Sequence, residues 1–144
     1  MRTRHALVVI SAAQLAAGVA GQLVAVRDRR SFDIALIGWR GRPNRVAHDT
    51  WLLGTGLSAP VTILATQAVA TARLSRGPSR GAARTLGVLG VMMSAGYLVE
   101  AEVRRALSPA GRDREVTSIV LTGLTLAGAM GVLGLRGVGR QGQE

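Results

Sequence analysis

The sequence predicts an all-α fold, a four-helix transmembrane bundle. Three observations carry that prediction. Residues 6–26, 50–72, 85–99 and 116–135 contain no Asp, Glu, Lys or Arg, in runs of 21, 23, 15 and 20 residues. A helix needs about 20 residues to cross roughly 30 Å of hydrocarbon. The 18 basic residues are all arginines, and they stand in the gaps between these runs. Membrane proteins place cations there to fix topology and to meet anionic head groups. Finally, the polar residues inside the longest run, TWLLGTGLSAPVTILATQAVATA, are only Thr, Ser and Gln. A soluble helix keeps a polar face, whereas small and hydroxylated residues suit the contacts between membrane helices.

The chain reads as one domain over 1–144, with helices at about 6–26, 50–72, 83–107 and 116–135. Helix 1 opens after Arg2 and Arg4. The run LVVISAAQLAAGVAG resembles a secretory signal. It continues to Val26, however, and Gln14 interrupts it, so helix 1 is expected to be retained. Ser11, Gln14, Gly18 and Gln22 share one helical face. That face turns to the bundle, because an amide facing lipid would be left unsatisfied.

The stretch 27–49 forms a loop or cap. Its apolar run Ile34–Trp39 is too short to span. It is expected to be an interfacial helical turn, a hairpin strand or a lid over the bundle mouth. Gly41, Pro43 and Asn44 mark a turn.

Helix 2 is expected to start at Asp49 or Thr50, either of which can cap it. It carries Pro60 inside it, as a kink. The connection Arg73–Arg84 reads as a flexible basic loop. Helix 3 is expected to pass Glu100 and to pair it with Arg104 at i,i+4, ending at Pro109 and Gly111. Asp113 and Glu115 suit the N-terminal dipole of helix 4. Gly123, Ala127 and Gly131 give helix 4 a small-residue face. Residues 136–144 read as a flexible Gly-rich tail.

Composition removes several functions. With no cysteine, there are no disulfides, thiolate–metal sites or Fe–S clusters. His5 and His48 are the only histidines, so no metal site and no cofactor is expected. A net charge of +10 could suggest nucleic acid. The arginines lie between apolar runs, however, so the expected partner is the lipid bilayer and not nucleic acid. The absence of lysine fits a GC-rich genome, and the expected location is a bacterial inner (plasma) membrane.

Four spans place the N-terminus, 73–84 and the C-terminus on one side. That side holds 8 Arg and one acid, Glu144. The other side holds 10 Arg and seven acids. The arginine counts alone do not set the orientation. The purely basic side favours cytoplasmic termini.

All four aromatics, Phe32, Trp39, Trp51 and Tyr97, fall at the mixed-charge end with His48. Asp49 and Glu100 are the carboxylates nearest the membrane. Two carboxyls in different settings can act as acid and base without a cofactor, and Tyr97 can donate to a developing oxyanion. This gives Asp49, Glu100 and Tyr97 as candidate catalytic residues. Gln14, Gln22, Trp39, His48, Trp51 and Met93 are candidate ligand-binding residues. The structural alternative makes Asp49 a helix cap, Glu100 a partner of Arg104, the tryptophans interfacial anchors and the glutamines interhelical bonds.

The expected function is binding, and conversion by acid–base chemistry, of a lipophilic small molecule in an intrabundle pocket. Epoxide opening, isomerisation and cyclisation are the reaction types that fit. The rival is a non-catalytic accessory subunit, as a homo-oligomer or with a membrane partner. A third reading is a small transporter. Small multidrug transporters are similar in size and helix count but carry a glutamate midway along helix 1. Gln14 occupies that place and cannot exchange a proton, so no charge marks a pathway at the midplane. Vitamin K epoxide reductases also have four helices, but their CxxC pair is missing here.

Overall fold

The fold was analysed in a computed structural model. It describes residues 2–28, 33–34, 39–40, 57–100, 103–105, 108 and 114–140. Among the described residues, the regular structure is helical apart from one very short strand pair. Its elements are α1 (Arg2–Arg27), β1 (Asp33–Ile34), β2 (Trp39–Arg40), α2 (Val61–Arg76), α3 (Arg80–Val99) and α4 (Arg114–Arg140). Each helix packs on the next, and α4 returns to pack on α1. Three helices, α1, α3 and the α4 stretch Arg114–Gly137, are long and apolar enough to cross a membrane. That places the chain among membrane proteins.

The buried positions repeat at alternating steps of three and four. On α1 they include Leu7, Ser11, Gln14, Gly18, Gly21 and Ala25. On α4 they include Val116, Val120, Gly123, Ala127 and Met130. This is the seam spacing of helices packing lengthwise. The opposite faces are apolar and exposed, with Val9 and Leu23 at 66% and 68%. Around a soluble bundle such faces would be polar; here they suit lipid.

α2 differs from the expected span. Pro60 does not kink it but opens it as N-cap, with φ −53° and ψ 148°. The Pro60 carbonyl accepts from the amides of Ile63 and Leu64 at 3.0 and 3.1 Å. Proline lacks an N–H and biases the preceding residue away from helix, so it suits a start better than an interior. The helix that follows has 16 residues, about 24 Å by axial rise. Residues 50–56 lie outside the described residues.

The basic connection is also shorter than expected. α2 runs to Arg76, and Ser79 caps α3 by accepting from the Ala82 amide at 3.3 Å. Only Gly77–Ser79 remain as loop. Arg73, Arg76, Arg80 and Arg84 therefore stand on helix ends.

α3 stops before Glu100, whose backbone is extended at φ −73° and ψ 128°. The expected continuation to 107 on one helix is therefore not made. The break instead returns Val103 to the core, where it is fully buried beside Val24, Tyr97 and Val116. A separate helical turn covers 103–105. The i,i+4 register expected for Glu100 and Arg104 is thus not on one continuous helix. α4 in turn runs through Arg140, into the stretch expected to be a flexible tail. Of the three forms expected for Ile34–Trp39, its ends take the hairpin: Asp33 pairs with Arg40 and Ile34 with Trp39, antiparallel.

Candidate functional site

The end of the bundle where α1 and α3 finish and α4 begins carries the described carboxylates. Arg27 closes α1 and bridges to Glu115 in the first turn of α4 at 3.0 Å, and to Asp28 at 2.8 Å. Both partners of the Arg27–Glu115 bridge are exposed, so it ties two helix ends at the surface.

Tyr97 lies inside that end. It is 7% exposed and packs with Val24, Ala25, Leu57, Val116 and Val120. Gly123 makes its seat, since a Cβ there would stand 2.9 Å from Tyr97 Cζ. The Tyr97 hydroxyl is buried and has no hydrogen-bond partner among the described residues. A buried hydroxyl without a partner costs about 1–3 kcal/mol. Glu100 follows at the helix end and is 8% exposed. Its carbonyl accepts from the Arg104 amide at 3.2 Å. Met93, one turn deeper, is buried against Leu86, Leu89 and Met130, where it serves the apolar core.

The two glutamines of α1 have different surroundings. Gln22 Nε2 donates to the Ala59 carbonyl at 2.8 Å. That carbonyl belongs to the non-helical stretch before Pro60, and its donor comes from a side chain of α1. Gln14 is fully buried, and neither its Oε1 nor its Nε2 has a partner among the described residues. It lies eight residues from Gln22, about 12 Å along the axis. The sequence spacing puts the two amides on one stripe, but among the described residues only Gln22 is bonded.

A polar cluster between α1 and α2 has its own centre. Gln67 Nε2 donates to the Ser11 carbonyl at 2.9 Å and to Ser11 Oγ at 3.3 Å. Ser11 Oγ and Thr71 Oγ1 are 2.6 Å apart. The Thr71 hydroxyl also lies 2.8 Å from the Gln67 carbonyl, to which it can donate. Gln67 Oε1 is buried without a partner among the described residues. Gln67 was not among the candidate site residues. The available signal was an amide inside an uncharged run.

The structure thus brings Tyr97 and Glu100 to one end, and places Gln14 deeper on α1. His48, Asp49 and Trp51 lie outside the described residues, and Trp39 is described only as backbone of β2. Among the described residues, no group of three or more His, Asp or Glu could hold a metal. No family model, no curated protein and no solved structure matches the chain.

Proposed function

We propose that all four helices cross the bilayer, with both termini cytoplasmic, and that the bundle binds a lipophilic small molecule at the end holding Tyr97 and Glu100. For α2, the non-helical stretch from Leu57 to Pro60 adds length to its 16 helical residues, towards the hydrocarbon thickness. The observation that carries the binding reading is the partnerless Tyr97 hydroxyl, buried in an apolar cluster one turn from a buried carboxyl. A polar group on a lipophilic guest would satisfy it.

Conversion needs two carboxyls, for which the candidates are Glu100, buried at the end of α3, and Asp49, which lies outside the described residues. For a lipophilic epoxide, the protonated carboxyl gives its proton to the ring oxygen as the C–O bond opens. The ionised carboxyl takes a proton from the attacking water or hydroxyl. Tyr97 donates a hydrogen bond to the oxygen as charge develops.

The test uses purified protein in detergent with a panel of lipophilic epoxides and polyenes. Turnover is followed by mass spectrometry and binding by thermal shift. Tyr97→Phe should keep the fold and lose the ligand-induced shift. Glu100→Gln should keep the fold and lose turnover. Full activity in Glu100→Gln would remove the acid–base reading, and an unchanged shift in Tyr97→Phe would remove the binding site.

The accessory-subunit reading has one observation in its favour. Gly96, on the outer face of α3, has nothing within 4 Å of where a Cβ would stand. Beside exposed Met92, that notch suits close approach of another membrane helix.

A further inference from the structure

The opposite end of the bundle holds a second candidate site, built from cations over an apolar floor. A cavity of about 330 Å³ opens where the four helix ends meet. Arg4 of α1 and Arg136 of α4 line it, with Leu7, Leu74, Leu133 and Ser79. Leu7 and Leu74 are buried members of the main core, so the floor is the end of the hydrophobic interior. Neither Arg4 nor Arg136 has a carboxylate partner among the described residues.

Helix stability does not explain the cations of α1. The helix starts at this end with no acid in the first turn. Arg2 and Arg4 add positive charge to the positive dipole end of α1, which is unfavourable. The described residues place arginines but no carboxylate at this end. The described carboxylates Asp28, Glu100 and Glu115 all belong to the other end. Arg4 and Arg136 thus line the cavity with no counter-charge among the described residues.

A neighbouring groove indicates what kind of anion. Between α2 and α3 lies an outward-facing space of about 530 Å³, lined by Ala65, Val69, Ala70 and Ala82 with Arg73 among its residues. Ser79 lines both this groove and the end cavity. An apolar lateral groove joined to a cationic cavity fits a molecule with an acidic head and a hydrocarbon tail. Nucleic acid does not fit, because among the described residues no aromatic that would stack a base lines either space.

We propose that the end cavity binds the head group of an anionic phospholipid from the adjoining leaflet. Its phosphate lies between Arg4 and Arg136, and an acyl chain lies in the α2–α3 groove. Guanidinium groups suit this role because they meet phosphate through paired N–H donors. Basic pockets between membrane helices recognise acidic head groups by this chemistry.

The test uses the full chain, delipidated in neutral detergent. Phosphatidylglycerol, phosphatidylcholine with the same acyl chains, and inorganic phosphate are added separately. Native mass spectrometry reads adducts, and thermal unfolding reads stabilisation. Phosphatidylglycerol should give a one-to-one adduct and raise the Tm, with an affinity that falls as salt rises. Phosphatidylcholine should do neither. The double variant Arg4→Gln/Arg136→Gln should lose at least about tenfold in affinity, two charge-assisted contacts being removed. The double lysine variant should fall between, and Arg114→Gln at the opposite end should bind as the parent does. Equal binding of phosphatidylcholine, or unchanged phosphatidylglycerol binding by the double glutamine variant, would overturn the proposal. Full stabilisation by inorganic phosphate alone would replace it with a soluble-anion site.

Discussion

The α1–α2 seam and the α3–α4 seam hold similar apolar helices together by different means. Between α1 and α2 the contacts are polar: Gln67 to Ser11, Ser11 to Thr71, and Gln22 to the Ala59 carbonyl. Between α3 and α4 they are backbone against backbone, at Gly87, Gly90, Gly131 and Gly134. Lipid is as apolar as leucine, so burying leucine does not drive membrane helices together. Close packing and interhelical hydrogen bonds do. The α1–α2 side adds side-chain bonds to close packing at Gly18 and Gly21, whereas the α3–α4 seam relies on its glycines. α2 has a reason for its choice, since the non-helical stretch before Pro60 carries carbonyls that need donors, and Gln22 supplies one.

The largest expected effect lies in the glycine seam. A Cβ on Gly90 would stand 2.6 Å from the Ala127 carbonyl oxygen and 2.8 Å from Gly131 Cα. Both are backbone atoms, so only separation of the helices relieves the clash. Gly90→Ala should cost about 2–3 kcal/mol, the upper range for overpacking, read by unfolding in mixed micelles. Gly96→Ala is the matched control, because nothing lies within 4 Å of its Cβ position. It should be neutral, or slightly stabilising through helix propensity. Equal losses from the two variants would mean that α3 and α4 do not touch along these glycines.

The polar seam should give a smaller effect. Gln67→Leu removes the bonds to Ser11 and should cost about 1 kcal/mol, as buried interhelical bonds in membranes do. Gln14→Leu replaces an amide with no described partner and should cost nothing or stabilise. A loss in Gln14→Leu as large as in Gln67→Leu would show that Gln14 bonds to something, a water or a bound guest, and would sharpen the contrast along α1.

Along α1 the inward face was legible in the sequence, and the reason is specific to lipid. Both faces of the helix are apolar, so hydrophobicity says little about facing. Ser11, Gln14 and Gly18 say more, because lipid does not suit an amide and small residues suit a contact. The stripe then turns through Gly21, which a Cβ would drive to 2.7 Å from the Leu57 carbonyl oxygen. The helix limits were less legible. Pro60 starting α2 and the break at Glu100 both depend on neighbours distant in sequence: Gln22 for the Ala59 carbonyl, and the pocket for Val103 at the α1 and α4 ends. The uncharged runs count residues but not the level at which another helix begins. At the site, Tyr97 and Glu100 were visible as the last turn of an uncharged run. The cavity under Arg4 and Arg136 was not, since those arginines are 132 positions apart in the sequence and meet only when the helices close into a ring.

The smallest expected effect concerns the Arg27–Glu115 bridge between α1 and α4. Arg27 reaches Glu115 at 3.0 Å, and their side chains are 60% and 52% exposed. Water and salt screen a pair so placed, and holding two long side chains together costs rotamer entropy. Glu115 also keeps a favourable position without Arg27, in the first turn of α4 beside the positive dipole end. Arg27→Gln should therefore leave the Tm within error of the parent at low and at high salt. Each seam buries its contacts, and this bridge does not, so its loss should fall below that of Gln67→Leu. A loss equal to Gln67→Leu, shrinking as salt is added, would mean that the α1 and α4 ends are held by charge in a less screened setting. The α1–α4 junction would then be a third kind of seam, neither glycine-packed nor bonded through amides.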